Sequence, residues 1–125
     1  MDNFKFNTVE EAIEAIKNGK MVLVTDDEDR ENEGDLIMAA QFCTGDFYRR
    51  CYSNRFARGL ICMPADPQIM DKLQFGAMVA NNTDNHETAF SVSIDHVDTT
   101  TGISAYERAY TMRKCADPAS QPQDF

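Results

Sequence analysis

Apolar positions recur at Val9, Ala12, Ile13 and Ile16, one face of a helix, behind Thr8 and Glu11 at capping-box spacing and ahead of Gly19 as a stop. Residues 8–18 therefore predict an amphipathic helix. Residues 21–24 and 36–40 are short uninterrupted apolar runs and predict two buried strands. Residues 46–57 are compatible with a helix, with Phe47, Cys51 and Phe56 loosely periodic, and 59–63 predict a strand stopped by Pro64. Asp66 followed by Pro67 is an N-cap with proline at the first helical position, and Ile69, Met70 and Leu73 supply the apolar stripe of a helix of about two turns.

Further along, residues 89–95 alternate Phe90, Val92 and Ile94 against polar neighbours, the period of a half-buried strand. Ser104 and Glu107 repeat the capping-box spacing after Thr99-Thr100-Thr101-Gly102. That turn could offer backbone amides to a phosphate at the helix start, or be an ordinary capped turn. Residues 117–125 carry two prolines and no apolar period, and read as a loop. Strands interleaved with helices predict an α/β (α+β) domain, a mixed sheet layered with helices.

A chain of 125 residues, 42% hydrophobic, suits one compact domain over residues 1–125. It contains no apolar run long enough for a membrane helix, and residues 1–6 have neither the basic start nor the apolar core of a signal peptide, so a cytoplasmic protein is expected. The four cysteines have no CxxC spacing and read as reduced thiols. Cys62, in an apolar run, reads on spacing alone as a buried small hydrophobe, and the methionines as core filler. His86 and His96 read as surface groups.

The net charge of −9 argues against nucleic-acid and anionic-membrane partners. Most of it is local. Residues 26–35 hold seven acids and one base, a net of −6. If this segment is extended, Asp27, Asp29, Glu31, Glu33 and Asp35 share one side with Arg30 on the other. Converging carboxylates repel and raise one another's pKa unless a cation joins them, so a hard divalent ion is the natural partner and a proton acceptor is at hand. Such a charge run is more commonly a solvated surface loop, but this one lies between two predicted buried strands and is interrupted by Arg30 and Gly34. A calcium EF-hand is excluded, because its required glycine and glutamate positions hold Asn32 and Met38.

Asp26-Asp27-Glu28-Asp29-Arg30-Glu31-Asn32-Glu33-Gly34-Asp35 closely resembles the signature of the 3,4-dihydroxy-2-butanone 4-phosphate synthase family. Arg58-Gly59-Leu60-Ile61-Cys62, Asn81-Asn82-Thr83, Thr100-Thr101-Gly102-Ile103-Ser104-Ala105 and Ala116-Asp117-Pro118 follow in the family's order. Residues 41–56, with Arg49, Arg50 and Arg55, depart from its more apolar pattern. The resemblance implies Glu31 as a metal ligand and substrate contact. It implies Arg30, Asp35 and Thr101 as substrate-binding, and Glu33, Asp35, Cys62 and Asp26 as catalytic, Asp26 as a supporting acid.

The fold implied is the N-terminal part of the synthase domain, incomplete at the C-terminus. In the family a histidine metal ligand, phosphate-binding residues and a further glutamate lie beyond the equivalent of Phe125. The reaction implied takes ribulose 5-phosphate through an enediol, dehydration and a skeletal shift to formate and a four-carbon ketone phosphate, with Mg²⁺ or Mn²⁺, in a cytoplasmic homodimer. The alternative is a non-catalytic fragment that keeps residual metal binding.

Overall fold

In the computed structural model, residues 5–47, 49 and 60–125 are described. Helix α1 (Val9–Lys17) forms as its pattern predicts. Thr8 Oγ1 accepts the Glu11 amide at 3.2 Å and Glu11 Oε2 accepts the Thr8 amide at 2.9 Å, so two otherwise orphan donors are satisfied reciprocally. Gly19, at φ +71°, turns the chain out of the helix.

Strands β1 (Val22–Thr25) and β2 (Gly34–Ile37) pair antiparallel, with Val22 opposite Ile37 and Thr25 opposite Gly34. Both predicted strands are present, the second over residues 34–37 rather than 36–40, but the prediction that they are buried is corrected. Leu23 is 65% exposed, and Val24, Leu36 and Ile37 are exposed as well. Directly opposed residues share a face, so Val22, Val24 and Ile37 lie on one side and Leu23 and Leu36 on the other. A two-stranded ribbon cannot cover both its apolar faces by itself.

The core lies elsewhere. A 3₁₀ turn (Ala40–Phe42), helix α2 (Pro67–Leu73) and helix α3 (Ala105–Ala116) surround buried Cys43, Leu73, Ala109 and Cys115. In α2, Asp66 accepts the Gln68 amide at 2.8 Å and Pro67 occupies the first turn, as predicted. Burial pushes the Cys115 thiol up to about 11, which keeps it protonated.

Three further expectations change. Residues 60–63 pair with no strand, and Leu60 is 80% exposed; Gly59 lies outside the described residues, as does most of the expected 46–57 helix, of which 46, 47 and 49 are helical. The strand expected at 89–95 shortens to one bridge between Ala77 and Ser91, flanked by the Met78 amide on the Phe90 carbonyl at 2.9 Å and the Val92 amide on the Gly76 carbonyl at 3.0 Å. The tail lacks periodicity but is anchored. The Val97 amide donates to the Asp124 carbonyl at 2.8 Å, and Phe125 meets Phe75 and His96 edge-to-face at centroid distances of 5.3 and 5.5 Å. His96 is therefore buried, which corrects its reading as a surface group; single-chain pattern could not place Phe125 and Tyr110 against it. His86 is exposed, as expected.

Replacing Phe125 with Ala removes both ring contacts and is expected to lower stability by about 1–3 kcal/mol. Urea unfolding followed by circular dichroism measures it, and an unchanged midpoint would show that the tail contributes nothing to the core.

Candidate functional site

The acidic segment is the connection of the β1–β2 hairpin, residues 26–33, and it opens where Thr25 and Gly34 pair. It is not extended. The Arg30 amide donates to the Asp27 carbonyl at 3.1 Å, forming a turn, and Asn32 takes a left-handed φ of 50°, which asparagine tolerates better than most residues. The expected one-sided row of Asp27, Asp29, Glu31, Glu33 and Asp35 is therefore corrected, because local turn bonds override strand alternation.

Asp26 shapes this loop. Its Oδ1 accepts the Glu33 amide at 2.8 Å, and its Oδ2 accepts the Glu31 amide at 3.0 Å and Arg30 Nη1 at 2.9 Å. The Asp26 amide in turn donates to the Glu33 carbonyl at 3.3 Å, continuing the ladder past Thr25. Hydrogen bonds to a carboxylate favour its charged form. The Glu33 amide foremost, then the Glu31 amide, then Arg30, accordingly hold the Asp26 carboxyl below its ordinary 3.8. Arg30 Nη1 also approaches Glu31 Oε2 at 3.4 Å, yet the Arg30 side chain stays 59% exposed.

Asp35 follows the loop in β2, opposite Val24, and is exposed. The structure thus brings Asp26, Arg30, Glu31, Glu33 and Asp35 onto one end of one hairpin. Cys62 is exposed in a segment without regular structure, which corrects its reading as a buried strand residue. Among the described residues, no hydrogen bond or ion pair joins Cys62 or Thr101 to the hairpin loop.

Thr101 lies in the turn before α3, which carries contacts that spacing alone did not reveal. Ser104 Oγ accepts the Glu107 amide at 3.2 Å, half of the expected capping box, while the Glu107 side chain accepts the Thr100 amide and the Thr100 hydroxyl on Oε1, both at 2.7 Å, and the Ser104 hydroxyl on Oε2 at 3.2 Å. The Thr100 amide, first among these donors, holds the Glu107 carboxyl below its ordinary value. A carboxylate of the chain itself thus occupies this helix start, which favours the capped-turn reading over an open phosphate site. Tyr110 donates its hydroxyl to Asp98 Oδ2 at 3.0 Å, and Thr111 Oγ1 accepts the His96 amide at 3.2 Å. The only signal for this in the sequence is the polar i, i+3, i+4 spacing of Glu107, Tyr110 and Thr111.

The loop's donors are hard oxygens, the chemistry that suits Mg²⁺ or Mn²⁺. Among the described residues no three acidic, histidine or cysteine side chains gather as a complete cage. Magnesium is typically held by one or two carboxylates with waters and substrate oxygens completing its shell, so an exposed Glu31 beside other acids fits that mode.

A hairpin of this kind, on a mixed α+β scaffold, defines a domain whose acidic turn is suited to a hard cation. A model of the 3,4-dihydroxy-2-butanone 4-phosphate synthase family matches residues 10–125. The riboflavin biosynthesis protein RibBA of Bacillus cereus (strain AH187) is 52% identical over 120 residues, which is 96% of this chain and 30% of that protein. A 3,4-dihydroxy-2-butanone 4-phosphate synthase solved in complex with two magnesium ions is 43% identical, with a TM-score of 0.88 over 96% of this chain and 56% of that one. The Candida albicans synthase is likewise 43% identical, with a TM-score of 0.80 over 98% of this chain and 59% of that one. The chain belongs to the 3,4-dihydroxy-2-butanone 4-phosphate synthase family, and it spans under a third of the RibBA relative and a little over half of the solved synthases.

Because its folded pKa is depressed, Asp26 contributes stability to the loop above its ordinary 3.8, and this is lost as pH falls through the lower folded value. Carboxyl-detected NMR should show Asp26 titrating below 3.8, with the Glu31 and Glu33 amide signals moving in the same step. A midpoint at or above the ordinary value would contradict the bonding described.

Proposed function

We propose that this chain supplies the acidic half of a 3,4-dihydroxy-2-butanone 4-phosphate synthase site. The reaction converts D-ribulose 5-phosphate to L-3,4-dihydroxy-2-butanone 4-phosphate and formate, in riboflavin biosynthesis. The observation that carries this reading is the Asp26-organised hairpin loop, found in a chain whose family match runs from residue 10 to residue 125. Residues 1–125 are read as the N-terminal part of the synthase domain, working in the cytoplasm as a homodimer whose sites lie near the subunit interface.

Glu31 would hold a divalent ion, Mg²⁺ or Mn²⁺, and the solved relative with two magnesium ions supports the first of these. The bound cation supplies charge that polarises the substrate's carbonyl and hydroxyl oxygens. Arg30 binds the sugar phosphate. With Nη1 steadied by Asp26, its exposed guanidinium offers the remaining N–H groups to an anion at little further cost in side-chain order.

Asp35, fixed in the β2 ladder, accepts hydrogen bonds from substrate hydroxyls, and Thr101 makes a further polar contact. Glu33 and Cys62 line the reacting centre, and a carboxylate at Glu33 or Asp35 can take the proton removed in forming the enediol. Asp26 acts through the loop: both its oxygens are engaged by the backbone, so it orients Arg30, Glu31 and Glu33 as a supporting acid. A second reading, ion binding without turnover, is favoured by the chain's covering only 56% of the magnesium-bound synthase.

Formate release from ribulose 5-phosphate with Mg²⁺ separates these readings. The chain is compared with its Glu31→Ala variant and with the chain joined to the remainder of the Bacillus cereus relative's synthase domain. Turnover that falls by at least about 100-fold in Glu31→Ala supports the enzyme. Turnover confined to the joined protein supports the ion-binding reading for these residues alone, and no turnover in either sinks the proposal.

A further inference from the structure

Three threonine hydroxyls stand in succession at 99–101, and two of them are engaged within the protein. Thr99 Oγ1 donates to the His96 carbonyl at 2.7 Å, and Thr100 Oγ1 donates to Glu107 at 2.7 Å. Thr101 is exposed, and among the described residues its hydroxyl has no hydrogen-bond partner.

The segment bearing it is held from α3 at several points. Glu107, Tyr110 and Thr111 lie on one face of the helix, and they bind Thr100, Asp98 and His96 respectively. The Asp98 amide also donates to His96 Nδ1 at 3.1 Å. After Thr101 the chain turns sharply at buried Gly102, at φ +67°, where the Asp95 carboxylate packs so tightly on the backbone that it leaves no room for a Cβ. Thr101 thus sits between two fixed points, the Glu107 clamp on Thr100 and the Gly102 turn.

We propose that Glu107 is a positioning residue that keeps the Thr101 hydroxyl presented outward as a contact for an oxygen-rich sugar phosphate. This deepens the synthase reading and rests on it. Glu107 does not touch the substrate in this scheme; its Oε1 fixes the amide and hydroxyl of the residue before Thr101. The side chain fits the role because one oxygen takes two donors from Thr100 while the other takes the Ser104 hydroxyl, tying the turn to the first turn of α3. What matters is an acceptor at that reach. Glutamine keeps such an acceptor, whereas alanine removes it.

The test compares the chain with its Glu107→Ala, Glu107→Gln and Thr101→Val variants, using the protein form that releases formate in the assay above. Steady-state kinetics with ribulose 5-phosphate and Mg²⁺ are paired with NMR hydrogen exchange at the Thr100 amide. Glu107→Ala is expected to raise KM about tenfold with kcat within about twofold, and to speed Thr100 amide exchange by about tenfold. Glu107→Gln is expected to stay within about threefold of the original on both readouts, since its carbonyl oxygen still accepts. Thr101→Val is expected to raise KM comparably while leaving Thr100 exchange unchanged.

Two results overturn the positioning role: Glu107→Ala matching the original protein in exchange and KM, or Glu107→Gln being as impaired as Glu107→Ala. A Thr101→Val variant with the original KM overturns the contact. Should no form turn over ribulose 5-phosphate, the synthase reading fails and the substrate contact with it, while the exchange comparison still decides whether Glu107 clamps Thr100.

Discussion

Ala109 in α3 is fully buried, and the small side chain there lets neighbouring segments approach the helix closely. The 3₁₀ turn at Ala40–Phe42 docks on α3, and Arg113 reaches across to donate to the Cys43 carbonyl. On the polar flank the same helix fixes His96, Asp98 and Thr100, and the tail closes over His96 through Phe125. Helix α3 is thus the element to which the loop before it, the turn after β2 and the chain's last residues are all referred. A side chain larger than methyl at its centre would push all three outward together.

The hairpin loop and the turn before α3 are held by the same device, a carboxylate turned inward to its own backbone. Asp26 collects the amides of Glu31 and Glu33, and Glu107 collects the amide and hydroxyl of Thr100. In each case the carboxylate is engaged by the protein itself and the groups beside it gain a fixed direction. This division explains why a loop with so many acids need not be a uniform anionic surface. Asp26 organises, Arg30 partly balances the charge, and Glu31, Glu33 and Asp35 are left to face outward.

Local grammar was legible in the sequence. Thr8 with Glu11, Asp66 with Pro67, and the two apolar runs around the acidic segment became a capped helix, a proline-started helix and a paired hairpin. The ten-residue acidic signature likewise led to the family that the comparisons show. What stayed hidden was mostly long-range or two-bodied. Whether β1 and β2 are buried depends on what covers them, which an apolar run does not state. His96 looks polar among its neighbours in sequence, and only the approach of Tyr110 and Phe125 makes it a core residue. Alternation of acids along the segment is visible in the sequence, while the Asp26 bonds to residues five and seven positions on, which fold it into a turn, are not.

The uncovered hairpin has a consequence for how the chain is made. Residues 22–37 leave the ribosome well before α3, so an apolar ribbon with unpaired edges waits, at roughly 5–20 residues per second, for anything downstream to shelter it. The acidic segment over residues 26–35 offers protection in the meantime, because ribbons stacking in register would bring six net negative charges against six. The charges that suit this loop to a cation would then also act as a gatekeeper against self-association, guarding the nascent chain before there is any site to serve.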